Sequence, residues 1–328
     1  MVKISIAMTT YNGARYLEKQ LLSLLSQTRP ADEVIILDDC SKDNTAEIIS
    51  SFINKNNLKN WFFSVNHKNL GFKRNFYEAI LKTTGDIIFL CDQDDVWHKE
   101  KIEIIENLFK NNKDTLAINT GFNFIDEQDK LIYKPCKEGM ANHDLIFRKL
   151  TCDELTKISQ KEIVWGNISP GCTMSFTKEL KDIYLSVTKS IIAHDWELNI
   201  IATLKGTLLF YNKPLISYRI HEENTIGLDT TLGKKKLKFY NSYEKRLKIL
   251  EEQKLWVQYF NNCYESKEKE ILEYIRNLNE YLKLRYKCMV KRNILSWAKM
   301  WKYKKLLYPV ITKEKIIGDL IYALGLKK

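Results

Sequence analysis

Residues 86–97 have the sequence DIIFLCDQDDVW, in which a continuous apolar run ends directly in a group of aspartates. An apolar run of this length without polar alternation is typical of a strand buried on both faces of a parallel sheet. Asp92, Asp94 and Asp95 follow it at once, and open α/β sheets bind ligands at the carboxyl ends of their strands. The stretch therefore predicts a buried strand that brings several carboxylates to a ligand site.

The chain around this stretch alternates short apolar runs with amphipathic helical segments. The strands predicted in the first part are residues 3–8, 33–38, 61–65, 86–91 and 115–119, with helices between them. This spacing is typical of a doubly wound α/β fold with a mainly parallel sheet flanked by helices. After residue 120 the pattern predicts strands at 171–176 and 208–221 and a helix at 195–205.

The positive charge of the chain is concentrated in its last third. The whole sequence has 52 basic and 41 acidic side chains, but residues 230–328 hold 24 of the basic ones and only 10 of the acidic ones. From Leu232 onward the pattern is helical, with breaks expected only at Pro309 and Gly318. We therefore predict an α/β domain at 1–229 and a basic helical region at 230–328.

Several classes of protein are disfavoured by the sequence. Seven scattered cysteines without a C-x-x-C pair fit a reducing cytosol better than a zinc ribbon or a disulfide scaffold. The chain has no G-x-G-x-x-G after its first strand and no G-x-x-x-x-G-K-[ST], which argues against dinucleotide and P-loop sites. No run approaches about 20 apolar residues, so we expect no transmembrane helix and a cytoplasmic location.

The aspartates after residue 91 have two interpretations. They could form a solvated turn in which one of them caps the helix predicted at 99–109. Clustered carboxylates at a sheet end repel one another and lose solvation, however, and a bound Mg²⁺ or Mn²⁺ would relieve both costs. The preceding strand and the third aspartate favour the metal site.

Several segments, in order, resemble the motifs of family 2 glycosyltransferases with the GT-A fold. They are TTYN at 9–12, DDCS at 38–41, NLG at 69–71, DQDD at 92–95, HDW at 194–196 and YRIH at 218–221, the last followed by Asn224 and Thr225. The resemblance covers about residues 1–226. Its wording is most similar to the rhamnosyltransferase-like branch used in bacterial surface polysaccharide synthesis, and it implies transfer of a sugar from a nucleotide diphosphate donor to a glycan or lipid-linked acceptor hydroxyl.

The resemblance implies a set of donor-binding residues at the ends of the first strands. They are Thr9, Tyr11, Asn12, Asp39, Arg74, Asp92 and Gln93. Tyr11 would lie against the base and Asp39 would accept from a base N–H, which favours the pyrimidine donors UDP and dTDP. Arg74 would contact the base pocket or a phosphate, since its planar guanidinium suits either.

The resemblance also implies a metal site and a catalytic base. Asp94 would bind Mg²⁺ or Mn²⁺ directly, with Asp92 near the ribose and the metal, and His221 would complete the metal shell or bind a phosphate. Asp195 is the candidate general base, which takes the proton of the acceptor hydroxyl in an inverting single displacement. The helix dipole favours a carboxylate at this position, where a plain capping role is equally compatible.

A further group of residues is expected around the sugar and acceptor pocket. It comprises Asp95, Trp97, Gly171, Cys172 and Trp196. Tryptophans at these spacings are as typical of a protein core as of a sugar pocket. Nothing in the sequence around Cys172 marks an activated thiolate, so we expect no nucleophilic role for it.

The basic region interleaves cationic with aromatic or aliphatic side chains. The three segments are KKKLK at 234–238, KLRYKCMVKR at 283–292 and KMWKYKK at 299–305. This pattern suits helices at a membrane surface, with Trp and Tyr at headgroup depth and Lys outward. A soluble helical subdomain or an oligomerisation element fits it too. We expect peripheral contact with the inner face of the cell membrane and no nucleic-acid partner.

Two other functions fit parts of the sequence. A nucleotidyltransferase also uses sheet-end carboxylates and a metal, but it should carry a glycine-rich phosphate loop after the first strand, which TTYNGARY at 9–16 matches poorly. A polyanion-binding protein would use the basic region and bind in a salt-sensitive way.

Overall fold

The structure is a computed structural model of the 328-residue chain, and it describes residues 2–164, 166–188, 192–222, 243–263, 269–307, 311 and 313–325. The chain forms two compact units, residues 1–225 and 226–328. The boundary predicted between residues 229 and 230 lies outside the described residues.

The first unit is built on a ten-stranded mixed sheet. Its strands are β1 (Ile4–Thr10), β2 (Glu33–Asp38), β3 (Trp61–Val65), β4 (Ile87–Cys91), β5 (Val96–Trp97), β6 (Thr115–Ile125), β7 (Leu131–Ile132), β8 (Leu155–Ile158), β9 (Ser175–Thr177) and β10 (Thr207–Arg219). Their order is β3-β2-β1-β4-β9-β6-β10-β5, with β7 paired to β6 and β8 paired to β10. Strands β1 to β4 are parallel, and β9 lies antiparallel between β4 and β6.

Helices connect the strands of this sheet. They are α1 (Ala14–Leu25), α2 (Thr45–Lys55), α3 (Phe72–Lys82), α4 (Lys101–Asn111), α5 (Gln160–Ile163), α6 (Lys178–Val187) and α7 (His194–Lys205), with a short 3₁₀ helix at Gly171–Thr173. Every residue of β1, β2 and β4 is buried, as the mainly apolar sequences of these strands predict. Because these three strands are neighbours and parallel, their carboxyl ends meet at one edge of the sheet.

Most strands and helices predicted in the first unit are confirmed, with small shifts at their ends. Strand β6 runs on to Ile125 instead of ending at residue 119, because β10 pairs with it along its length. The strand predicted at 171–176 is wrong in its first half. Gly171–Thr173 form a 3₁₀ turn there, in which the hydroxyl of Thr173 donates to the carbonyl of Pro170 at 2.7 Å.

Every secondary-structure element in the described residues of the second unit is a helix, which confirms the predicted helical extension. Its helices are α8 (Tyr243–Cys263), α9 (Lys269–Met289), α10 (Ile294–Met300), α11 (Tyr303–Leu306) and α12 (Lys313–Ala323). Their apolar faces form a core of their own, which includes Leu250, Ile275, Leu282 and Ile316. None of the helices in the described residues is long and apolar enough to cross a membrane.

The break predicted at Gly318 is wrong, because this glycine lies inside α12. A Cβ there would come within 2.3 Å of the Arg246 guanidinium, so the glycine makes room for that side chain. Arg246 and Arg285 each bond the fully buried carboxylate of Asp319 at 2.8 Å. The break expected at Pro309 lies outside the described residues.

Candidate active site

The ends of β1 and β2 are joined by buried side chains. The Asp38 carboxylate accepts from the hydroxyls of Thr10 at 2.7 Å and Ser41 at 2.5 Å. Asn12 has a left-handed backbone, with φ of +48°, and its N–H donates to the Ser41 hydroxyl at 2.8 Å. Thr9 is buried on β1 just before this junction. The predicted donor residues of these segments therefore lie at one edge of the sheet.

Gln93, in the loop after β4, holds the backbone of Tyr11. Its carbonyl oxygen accepts from the Tyr11 N–H at 2.7 Å, and its amide nitrogen donates to the Tyr11 carbonyl at 3.0 Å. A Cβ at Gly13 would lie 2.2 Å from the Gln93 side chain, so glycine is needed for this contact. The Tyr11 ring is 45% exposed and can stack on a flat ligand.

Asp39 shapes the loop that leads into α3. Its Oδ1 accepts from the Leu70 N–H at 2.7 Å and from the Asn66 amide, and its Oδ2 accepts from the Gly71 N–H at 2.8 Å. Gly71 has a φ of +78°, which favours glycine. Among the described residues Gly71 gives the only hydrogen bond to Oδ2, so this oxygen has room for one more donor.

Arg74 takes a different position from these residues. Its guanidinium pairs with Glu78 one turn later on α3 at 2.5 Å and lies over the Tyr77 ring at 4.3 Å. The side chain is half exposed, so it can exchange Glu78 for a ligand phosphate at little cost.

The loop after β4 sends consecutive aspartates in different directions. The Oδ2 of Asp94 lies 2.8 Å from Nε2 of His221, just beyond β10. The His221 ring packs against the Tyr16 ring at 4.9 Å. Burial and the nearby carboxylates of Asp95, Asp94 and Asp195 raise the pKa of the half-buried Asp92 well above its usual range. The structure thus brings together the predicted metal ligands Asp94 and His221, with Asp92 beside them.

Asp95 points inward and is fully buried. Its Oδ1 accepts from the Arg219 N–H at 3.1 Å, and burial, with the Asp94 charge, raises its pKa to about 7. Asp92, Asp95 and Cys172 have donor atoms within 4.8 Å of one another. Burial and the neighbouring carboxylates raise the pKa of the Cys172 thiol, so the thiol form is favoured.

Lys101 accompanies this inward group. Its ammonium donates to the Cys172 carbonyl at 2.8 Å, and burial lowers its pKa to about 8. It also lies 3.6 Å from the centre of the Trp97 ring, and Trp97 itself is buried. Three residues predicted for the sugar and acceptor pocket therefore lie in a buried cluster beneath the loop: Asp95, Trp97 and Cys172.

Arg219 lies at the site although no role was predicted for it from the sequence. Its fully buried guanidinium donates to the carbonyls of Asp94 at 2.8 Å and Asp126 at 2.9 Å, pairs with Asp129 at 2.6 Å and stacks over Tyr16. It therefore fixes the aspartate loop to the turn after β6. The available signal was an arginine two residues before His221 in a segment predicted to be a strand, because a charge that is buried in a sheet requires partners.

Asp195 lies in the first turn of α7. Its Oδ2 accepts from the Asn167 amide at 2.6 Å, and its Oδ1 accepts from the Trp196 N–H at 2.9 Å. A Cβ at Gly171 would lie 3.1 Å from the same Oδ2, so the 3₁₀ turn passes close to the carboxylate. Burial raises the pKa of Asp195 to about 6, which leaves it ionised but basic at neutral pH.

The neighbours of Asp195 are fixed by packing. The His194 ring stacks on Phe76 at 4.0 Å, and burial lowers its pKa to about 3, which keeps it neutral. The indole of Trp196 donates to the carbonyl of Ile163 in α5 at 2.7 Å. These contacts anchor the first turn of α7 on both sides of the carboxylate.

The arrangement is suited to a divalent cation and a phosphorylated ligand. Asp92 and Asp94 offer hard oxygen ligands, and His221 offers an imidazole nitrogen, a set that suits Mn²⁺ or Mg²⁺. The raised pKa of Asp92 fits this, because a cation would offset the repulsion among the carboxylates. Cys172, held as a thiol, is a poor ligand for either metal.

Comparisons with known proteins show which proteins this chain resembles. Residues 5–178 match the protein family described as Glycosyl transferase family 2. The dTDP-rhamnosyl transferase RfbG of Shigella flexneri is 30% identical over 241 residues, which cover 70% of this chain and 76% of RfbG. The poly(ribitol-phosphate) β-N-acetylglucosaminyltransferase TarS of Staphylococcus aureus is 35% identical over 105 residues, which cover 31% of this chain and 18% of TarS.

Solved structures show that the fold is GT-A. The crystal structure of S. aureus TarS residues 1–349 with UDP-GlcNAc aligns with a TM-score of 0.59 at 18% identity, covering 98% of this chain and 87% of that one. The mannosyltransferase PcManGT of Pyrobaculum calidifontis, in complex with GDP-Man and Mn²⁺, aligns with a TM-score of 0.56 at 14% identity, covering 100% and 88%.

Proposed function

The chain belongs to glycosyl transferase family 2, and we propose that it transfers a sugar, with rhamnose the first candidate, from a dTDP or UDP donor to a hydroxyl of a glycan or lipid-linked saccharide. The activity named for RfbG supports the dTDP-rhamnose donor, and the UDP-GlcNAc bound to TarS supports a pyrimidine nucleotide. We further propose a place in cell-surface polysaccharide synthesis, metal dependence and inversion at the anomeric carbon.

One observation carries this proposal. Asp92 and Cys172 have ligand atoms within 4.8 Å of each other, and a Cβ at Gly171, the residue before Cys172, would lie 3.1 Å from Oδ2 of Asp195. This geometry supports a single acidic site that holds both the predicted metal ligands and the predicted base. Two phosphates and a cation fit the first part, and an acceptor hydroxyl fits the second. A site for nucleotide binding alone would not need a carboxylate of pKa about 6 beside it.

The residues divide the work of binding and proton transfer. The Tyr11 ring covers the base, Oδ2 of Asp39 accepts a base N–H, and Arg74 approaches the base pocket or a phosphate. Asp92, Asp94 and His221 would hold Mn²⁺ or Mg²⁺, which when bound offsets the charge of the departing diphosphate. Asp195 takes the proton of the acceptor hydroxyl as that oxygen attacks the anomeric carbon.

A panel of nucleotide sugars tests the proposal directly. Purified protein is incubated separately with dTDP-rhamnose, UDP-GlcNAc, UDP-glucose and GDP-mannose, each in Mn²⁺, in Mg²⁺ and in EDTA. The nucleoside diphosphate that is released by hydrolysis of each nucleotide sugar is measured. We expect release from at least one pyrimidine donor, and loss of release in EDTA. Release that is equal in EDTA would remove the metal from the proposal, and release only from GDP-mannose would remove the pyrimidine preference.

The described part of the basic unit has a surface suited to membrane contact. Leu295 is 76% exposed and Ile294 is 48% exposed at the start of α10, and exposed Lys287, Lys291 and Arg292 lie just before them. The expected placement of aromatics at headgroup depth is wrong for Tyr303, which is buried. The segment at 234–238 lies outside the described residues. We propose that residues 287–295 touch anionic lipid.

Leu295→Asp should weaken binding to vesicles of phosphatidylglycerol, because it replaces an apolar contact and adds a negative charge beside the cations. Co-sedimentation at low and high salt measures the effect. Leu131→Asp is the matched control, since Leu131 is 71% exposed on β7 of the first unit. Equal loss in both variants, or no binding by the wild type at low salt, would reject the membrane proposal.

A further inference from the structure

A chain of three asparagines leads from the centre of the sheet to Asp195. Asn119 on β6 donates its amide to Oδ1 of Asn199 at 2.7 Å, and Asn199 donates to Oδ1 of Asn167 at 2.8 Å. Asn167 in turn donates to Oδ2 of Asp195 at 2.6 Å. Asn119 and Asn199 are fully buried, and Asn199 lies one turn after Asp195 on α7.

The carboxylate fixes the direction of every hydrogen bond in this chain. An ionised carboxylate can only accept, so Asn167 must turn its NH₂ group toward Asp195 and its carbonyl away. That carbonyl accepts from the Asn199 amide and from the Ile168 N–H at 3.1 Å, which orients Asn199 in turn. The whole chain therefore presents one N–H to Oδ2 and stabilises the ionised form of Asp195.

The same contacts restrict rotation of the carboxylate group. Oδ2 is held by Asn167 and by the close approach of the 3₁₀ turn at Gly171, while Oδ1 accepts the Trp196 N–H. The loop that carries Asn167 is itself tied to β6, since the Ser169 hydroxyl donates to the carbonyl of Thr120 at 2.8 Å. The orientation of the base is thus set from the rigid sheet.

Apolar side chains would fill the same space without needing partners. Buried amides cost free energy unless each is hydrogen-bonded, and leucine at residues 119 and 199 would avoid that cost. The amides form directional hydrogen bonds instead, and these fix the orientation of the Asp195 carboxylate more closely than apolar packing would.

We propose that Asn167 and Asn199 are positioning residues, which aim a lone pair of Asp195 at the acceptor hydroxyl. The inference rests on the proposed function, in which Asp195 is the general base. Misplacement of a catalytic group by about 1 Å can lower a rate by about 10²-fold, so loss of the chain should act on the chemical step more than on donor binding.

Four variants test this in the full-length protein: Asn167→Ala, Asn167→Asp, Asn199→Leu and, as the control, Asn212→Ala. The side-chain amide of Asn212 also donates a hydrogen bond, to the carbonyl of Thr151 at 2.7 Å. Asn212 is not one of the three asparagines that lead to Asp195. The readouts are kcat and KM for the nucleotide sugar that the wild type hydrolyses, UDP affinity in Mn²⁺ by calorimetry, and the melting temperature.

We expect kcat to fall by about 10²-fold in Asn167→Ala, with KM and UDP affinity near those of the wild type. In Asn167→Asp, kcat should fall at least as far although the side chain keeps its shape, because a second carboxylate then lies against Asp195. Asn199→Leu should lower kcat although residue 199 does not bond Asp195 directly. Asn212→Ala should leave kcat unchanged.

Wild-type kcat in Asn167→Asp would show that Asn167 only fills space, and would overturn the inference even if Asn199→Leu failed to fold. An equal loss of kcat and UDP affinity in Asn167→Ala would also overturn it, because the residue would then act on the fold of the whole site. Both results leave the proposed function intact. Failure of the wild type to hydrolyse any nucleotide sugar would instead reject the proposed function itself.

Discussion

Asp195→Asn should lower sugar transfer by about 10²–10⁴-fold while donor binding stays near that of the wild type. The amide keeps the shape of the side chain and can still accept from Asn167, but it cannot take the proton of the acceptor hydroxyl. Single-turnover transfer with saturating donor measures the chemical step, and UDP affinity in Mn²⁺ measures binding. Near-normal transfer would assign the base to another residue.

The pH dependence of the wild type is the second half of this test. Burial raises the pKa of Asp195 to about 6 from an ordinary value of 3.8. The base must be ionised to act, so kcat should fall as pH falls through about 6 and should level off above it. Asp195→Asn should have no such limb, and its small residual rate should be flat across the same range.

The same pKa predicts the effect on stability. A raised carboxyl pKa means that the fold favours the protonated form, so the stability contributed by this group is full below pH 3.8 and is lost as pH rises through about 6. At pH 8 the wild type carries the cost of a buried charge that the amide avoids. Asp195→Asn should therefore melt no lower than the wild type at that pH.

Asp182→Asn provides the charge-matched control. Asp182 is exposed on α6, so its loss removes the same single charge from the first unit without touching the site. Its transfer rate should equal that of the wild type at every pH. A parallel drop in both variants would mean that net charge, and not a base, controls the rate.

The sequence predicts the first half of the sheet well because the relevant signals are local. Mainly apolar runs mark β1, β2 and β4, and strands that are buried in a parallel sheet need little alternation of polar and apolar residues. Their parallel pairing then places the segments after residues 10, 38 and 91 at one edge without further information. The segment at 171–176 is different, because the hydroxyls of Ser169 and Thr173 bond carbonyls that no local pattern identifies.

The candidate site shows the same division between local and distant contacts. Asp94 and His221 are 127 positions apart and meet at 2.8 Å, a pairing that only the order of motifs could suggest. Sequence spacing could not show that Asp95 turns inward while Asp94 turns outward, since both follow the same strand. The partner that decides this is the Arg219 N–H on β10, which is distant in sequence.

Asp94→Asn should abolish most metal-dependent turnover, by roughly 10³-fold if the charge it helps to place contributes about 4 kcal/mol to the transition state. The amide leaves Nε2 of His221 and the carboxylate of Asp92 in place, so the change removes one ligand charge rather than the whole site. Initial rates over a range of Mn²⁺ concentrations, with Mn²⁺ affinity measured in the presence of UDP, separate weaker metal binding from a slower chemical step. Glu127→Gln is the control, because Glu127 pairs with Arg15 on the surface at 2.7 Å.

Cys172→Ala distinguishes between the two sets of metal ligands that Asp92 could belong to. If the metal is held by Asp92, Asp94 and His221, Mn²⁺ affinity falls in Asp94→Asn and is unchanged in Cys172→Ala, since the thiol stays protonated in its buried position. The reverse result would place the metal in the inward group of Asp92, Asp95 and Cys172. Heparin binding by the basic region should be the same in the wild type, Asp94→Asn and Cys172→Ala. If the protein only bound polyanions and had no transferase activity, none of the measured properties would differ among these variants.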